Sequence, residues 1–218
     1  MTTLNYYSQW KQDKFLFENF FQNLKNGVFV DIGAHNGVTF SNSLFFNNLG
    51  WKGICVEPVP RIFKELEKNR PNSININCAI CETEGEMDFI SLEGYTEMLS
   101  GIMKFTDPRH FKRIQGELYT CGGSYEIIKV KTRRLESLLE ENNITYINYL
   151  SIDVEGAEES VIKSINFNKV FIDIIEFEDN YSDNSDFIKK YLDEKGFIFL
   201  RNDDHNIFMI NEKSKFID

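Results

Sequence analysis

Three apolar, β-branched stretches of this chain each run into an acidic residue where the chain must turn. Val28–Ile32 carries Asp31 into Gly33, Gly53–Val56 delivers Glu57 and Pro58, and Asn148–Ile152 delivers Asp153. Short apolar runs that alternate with longer amphipathic stretches bury both kinds of surface as a mostly parallel sheet with helices on both faces. Seven runs have strand character: those three, with Ile74–Asn77, Val170–Ile175, Phe197–Arg201 and Asn206–Ile210. Helical apolar spacing falls between them at Thr39–Leu49, Arg61–Asn69 and Ala157–Ile165, and a Phe- and Asn-rich helix at Lys14–Leu24 precedes the first strand. The last two strands, joined over Asn202-Asp203-Asp204-His205, read as an antiparallel hairpin. The expected class is therefore α/β.

The 218 residues fall within the range of one domain, so residues 1–218 are read as a single unit with residues 1–26 as a helical cap. The middle is less regular. Glu86–Ser91 and Glu126–Val130 read as an extra strand pair, and between them residues 93–125 hold a helical piece at Pro108–Leu118. An insertion of that length inside a compact domain points to a lid over a binding site. The Phe-rich stretches Phe15–Phe21 and Phe40–Phe46 have helical spacing and are read as core.

A net charge of −10 leaves no basic stripe able to neutralise several phosphates, so nucleic acid is not the expected partner. No stretch approaches the length of apolar chain that spans a bilayer, and the start lacks a basic then apolar leader, so the expected setting is the cytoplasm, away from membranes. Cys55, Cys78, Cys81 and Cys121 are read as thiols there, and Cys78-Ala79-Ile80-Cys81 as neither a redox pair nor half a zinc site, since no second pair has ligand spacing.

The chemistry concentrates at the strand ends. In Asp31-Ile32-Gly33-Ala34-His35-Asn36-Gly37 a glycine turn lets backbone approach a ligand, and an acid there suits a cationic amine better than a pyrophosphate. The Gly-x-x-x-Gly spacing lacks the third glycine of a dinucleotide fingerprint, which weighs against NAD or FAD. Glu57 at the tip of the next strand is placed to accept both hydroxyls of a ribose. Asp153-Val154-Glu155-Gly156-Ala157-Glu158 gathers three more carboxylates at a turn, and Glu176 and Glu178 stand at the end of the following strand. Such a cluster calls for a cation: an amine, or a hard divalent ion such as Mg²⁺ held by Asp153, Glu176 and Glu178, with Glu155 nearby. The alternative is that Glu155 and Glu158 serve the positive end of the following helix.

Four blocks, the N-terminal YYSQWKQDKF, FVDIGAHNGVT, GWKGICVEPVPRIFKEL and NYLSIDVEGAEESVI, resemble the FkbM-type methyltransferase family in order and separation. The resemblance implies a class I methyltransferase sheet of Rossmann-like form, with S-adenosylmethionine as donor and O-methylation of a sugar, glycan or small metabolite. Carried over to this sequence, Asp31, Gly33, Ala34 and Gly37 would border the methionine half of the cofactor, and Gln12, His35 and Asn36 would also bind it. Glu57 would meet the ribose with Pro58 among the cofactor-binding residues beside it, Ala79 and Ile80 would meet the adenine, and Asp153 would lie nearest the transferred methyl. Asp153, Glu155 and His35 are the candidate catalytic residues. His35 and Asn36 stand where Asn then Asp are common in similar sequences, and His110 and His205 have no motif context. A non-catalytic binding module on the same fold is the competing expectation.

Overall fold

The computed structural model describes residues 4–181, 185–203 and 205–217; Asp204 of the expected hairpin turn lies outside them. Seven strands form the main sheet: β1 (Val28–Ile32), β2 (Lys52–Val56), β3 (Ile74–Ile76), β8 (Tyr146–Ile152), β9 (Phe171–Glu178), β10 (Phe197–Asp203) and β11 (Asn206–Asn211). Their spatial order is β10-β11-β9-β8-β1-β2-β3. The pairs from β9 to β3 are parallel, whereas β11 runs antiparallel to both β9 and β10. The class I methyltransferase sheet expected from the sequence, with its terminal antiparallel pair, is the sheet that forms. From β1 the chain builds outward through β2 and β3, then returns to β8 on the other side. This reversal opens a crevice at the carboxyl ends of β1 and β8.

Strand alternation feeds two cores. Val30, Ile32, Ile54 and Val56 pack on one face against α5 (Leu135–Glu141), α6 (Glu158–Lys163) and α7 (Ser185–Asp193). Phe29 and Cys55 turn to the other face, against α1 (Gln12–Leu16), α2 (Leu44–Asn48) and α3 (Pro60–Asn69). Phe21, Phe45 and Phe46 are buried there beside Trp51, as the stripe predicts, but Phe40 is half exposed.

Two helices differ from the sequence expectation. The one read at Thr39–Leu49 shrinks to α2, because residues 37–43 wrap around the fully buried Arg70. Its guanidinium donates to the Gly37 carbonyl at 3.1 Å and to Ser41 and Ser43 Oγ at 3.3 and 3.0 Å. Helix α1 passes at Phe17 into a π turn, Phe17–Phe21.

The extra strand pair is longer than expected. β5 (Gly85–Glu93) and β7 (Ser124–Arg133) pair along their length and, with β4 (Ala79–Ile80) and β6 (Gly101–Ile102), make a second, four-stranded sheet. Phe89, Ile102 and Val130 join it to Val59, Ile62 and Ala157 of the main body. Residues 94–105 form two 3₁₀ turns around β6, and α4 (Pro108–Cys121) follows, with Asp107 as N-cap accepting from the Arg109 backbone N–H at 2.7 Å. The four cysteines are unpaired, and no helix among the described residues is long and apolar enough to cross a membrane.

Candidate active site

The glycine turn after β1 is built by contacts that tolerate no side chain. Gly33 has φ +89°, and a Cβ there would lie 1.8 Å from the Asp153 carbonyl oxygen. The backbone N–H groups of Gly33 and Ala34 both donate to the Val56 carbonyl at 3.0 Å, and Asp153 N–H donates to the Ile32 carbonyl at 3.0 Å. These bonds lock the ends of β1, β2 and β8 together around a cavity of about 640 Å³.

Glu57, at the tip of β2, is buried in the cavity wall and accepts from the Val59 backbone N–H at 2.8 Å. Burial pushes its carboxyl up to about 7, with the backbone bonds from Val59 and His35 pulling the other way. Pro58, Ala79 and Ile80 line the same side, with Ile62 and Phe89 completing an apolar slot.

At the far side Asp153, Glu155 and Glu178 present oxygens that all lie within 4.8 Å of one another. Burial, then the nearby charge of Asp31, lifts Asp153 to about 6, against a stabilising hydrogen bond with Glu178. Burial and mutual repulsion hold Glu155 and Glu178 well above the carboxylate range. Glu155 occupies the left-handed region at φ 56°, and its Oε2 accepts from Asn180 Nδ2 at 3.2 Å. Glu158 does serve the turn before α6, as its Oε1 accepts from the Val154 and Gly156 backbone at 3.3 and 3.1 Å.

Several expected residues lie elsewhere. Glu176, read as a metal ligand with Asp153 and Glu178, is outside the cluster, because β9 extends to Glu178 and leaves Glu176 inside the sheet opposite Ser151. It accepts there from the Tyr149 hydroxyl, and burial keeps its carboxyl well above the usual range. Asp31 does not line the cavity: its carboxylate accepts from Ser43 Oγ, and Ser43 also receives Arg70. Ala34 and Gly37 are packing residues of this turn, and Asn36 caps it by accepting from the Val38 and Thr39 backbone at 3.0 and 2.9 Å. Gln12 is buried behind the wall, accepting from the Trp10 backbone N–H at 2.9 Å.

His35 lines the cavity, but its Nε2 is committed to Glu97 Oε1 at 2.8 Å, while Nδ1 is buried without a partner. Glu97 also pairs with Arg61 at 2.6 Å, so it ties residues 94–99 to the glycine turn and to α3. Of His110 and His205, which no motif marks, His205 lines the cavity and His110 is buried behind its wall, against Glu155. His110 Nε2 donates to the Leu99 carbonyl at 3.0 Å, so Nδ1 accepts from the Tyr181 hydroxyl at 3.2 Å and stands 3.5 Å from Glu155 Oε2; His205 packs beside Trp10.

The family model described as the methyltransferase FkbM domain matches residues 31–199. The chain belongs to the FkbM methyltransferase family. Membership implies S-adenosylmethionine as the methyl donor. No curated protein matches the sequence. Among solved structures, it is similar to the precorrin-6y C5,15-methyltransferase of Geobacter metallireducens GS-15, at 10% identity and a TM-score of 0.46, covering 91% of this chain and 88% of that one. It is also similar to the METTL16 MTase domain (11% identity, TM-score 0.49, 94% and 66% covered). A third is the TehB-like SAM-dependent methyltransferase of Corynebacterium glutamicum ATCC 13032 Kitasato (6% identity, TM-score 0.47, 94% and 88% covered).

Proposed function

We propose that this family member transfers a methyl group to a hydroxyl of a sugar, glycan or small metabolite, with Asp153 at the reacting end. The observation that carries the reading is that one cavity has both Glu57 and the Asp153, Glu155 and Glu178 cluster in its lining. Its volume of about 640 Å³ is that of a cofactor-sized site. S-adenosylmethionine fits the donor set: a diol for Glu57, a flat base for the slot of Ile62, Ala79, Ile80 and Phe89, and an amine for Glu178 of the acid cluster, which leaves Asp153 to the acceptor. Bound there, it supplies an electrophilic methyl group on a sulfonium.

The protein's own part is to hold the acceptor oxygen in line and remove its proton. Asp153 is the base in this reading. Its elevated proton affinity matches the task better than an ordinary carboxylate's would. Glu155, fixed by Asn180 and facing His110, orients the acceptor. Residues 93–125 act as a lid on the one catalytic unit and residues 1–26 as its cap. With a net charge of −10, the acceptor is a small molecule or glycan rather than nucleic acid.

A second reading of the cluster follows from its oxygens alone: Asp153, Glu155 and Glu178 could hold a divalent cation such as Mg²⁺ that polarises the acceptor. Undiminished turnover in EDTA removes that reading and leaves the first intact. For the first, Asp153→Asn should keep cofactor affinity in calorimetry while turnover of labelled methyl donor, screened over sugars and hydroxylated metabolites, falls by about 10²–10⁴. Unchanged turnover contradicts the assignment.

A further inference from the structure

The N-terminal Ser8-Gln9 and Gln12-Asp13 pairs have no part in the chemistry above, yet they build a rigid turn. Asp13, fully buried, accepts from the Tyr7 backbone N–H at 2.6 Å, from Ser8 Oγ at 2.6 Å and from the Lys14 backbone N–H at 2.8 Å. Gln12 holds the Trp10 N–H, and Lys11 closes the turn in the left-handed region at φ 65°. Four residues are thus spent on presenting two: Gln9 and Trp10, both exposed and both lining the active-site cavity.

Trp10 is 49% exposed, an uncommon exposure for a large flat residue held by a fixed backbone. It packs at 5.7 Å against His205, on the side of the cavity where β9 and β11 bring Glu178, Asn180 and His205. That side is away from the apolar slot. An exposed indole face carries negative quadrupole charge and attracts weakly positive C–H bonds or an ammonium group. Amides around it donate to hydroxyl oxygens and accept from hydroxyl protons, and carboxylates accept. The lining is one-sided: among the described lining residues, six carboxyl groups stand against a single guanidinium, Arg113, itself paired with Glu117 at 2.8 Å, and the buried carboxyls of Glu57, Glu155 and Glu178 can lose their protons to meet an ammonium but offer an anion no positive charge.

We propose that the Ser8–Asp13 turn is the acceptor platform: Trp10 stacks on the apolar face of a pyranose, Gln9 and Asn180 take its hydroxyls, and the acidic lining admits neutral or amine-bearing sugars while rejecting uronic acids and sugar phosphates. This deepens the functional reading above and rests on it for the identity of the cavity. Trp10 is a binding residue here, and its contribution belongs to acceptor affinity.

Tryptophan fluorescence tests it without a turnover assay, because the other of the chain's two tryptophans, Trp51, is buried. The full chain with S-adenosylhomocysteine is titrated with N-acetylglucosamine, glucosamine, glucuronic acid and glucose 1-phosphate. The first two should give a saturable change that Trp10→Phe removes, with no response to the two anions. In the methyl-transfer assay, Trp10→Ala should raise acceptor KM about tenfold or more, Trp10→Phe less, with kcat held within a few-fold. No saturable response to either of the first two sugars, or a stronger response to the anions, overturns the proposal. Calorimetry with S-adenosylhomocysteine in the same samples reports separately on the cofactor site, so a platform failure with cofactor bound is distinct from failure of the methyltransferase reading.

Discussion

Glu57 is a buried acid whose value depends on what reaches it. In the free protein the desolvated carboxyl is held at about 7, faced by Glu97, Arg61 and the backbone of His35 and Val59. A folded-state value above the unfolded one means that the fold favours the protonated form. Its stability contribution is therefore complete below about 4.5 and is lost as the pH rises through about 7. Thermal melts of the cofactor-free chain should fall over that window. Glu57→Gln should flatten the fall by an amount on the order of 3 kcal/mol at most. An unchanged pH profile in the variant would show that burial does not govern this group. A ribose diol offers that carboxylate two charge-assisted hydrogen bonds, so the same variant should weaken S-adenosylmethionine binding by about 10–100-fold in calorimetry.

Among the elements, the strand ends β1, β2 and β8 converge through backbone bonds that leave no room for a side chain at Gly33. Gly33→Ala puts a methyl on the Asp153 carbonyl and imposes a positive φ on alanine, so it should cost about 3 kcal/mol or more in denaturant titration. Glu97 makes the other junction, holding the 3₁₀ turn at 94–99 against His35 and Arg61. Because these side chains are partly exposed, Glu97→Ala should speed amide exchange across residues 94–99 by only about fivefold. Exchange that stays unchanged would mean the turn is held by its packing alone.

The strands were readable because an unbroken apolar, β-branched run looks the same in the chain as in the sheet: Val28–Ile32 was found to the residue. Helix α2 was not, since the turn that consumes its expected first half is organised by Arg70, thirty residues away and buried in one place only the fold creates. Glu176 was misplaced for a related reason. Nothing local distinguishes the last residue of a strand from one two steps inside it, and that distance separates the acid cluster from the interior.

At the scale of the molecule, the reversal of strand order beside β1 sets the site, and the second sheet with α4 supplies part of its wall. The acids at the strand ends were legible as a pattern of chemistry, and Glu57 and Asp153 line the cavity while Asp31 supports the turn behind it. Trp10, His110 and His205 carried no periodic signal, because each comes from a loop or a helix whose approach to the site is a tertiary event. Calorimetric titration of the intact chain with S-adenosylmethionine, and in parallel with NAD, tests the central claim most directly. S-adenosylmethionine should bind saturably and one to one, in a manner that Asp153→Asn preserves and Glu57→Gln weakens, with no saturable binding of NAD. Failure to bind S-adenosylmethionine, or tighter binding of NAD, would contradict that claim.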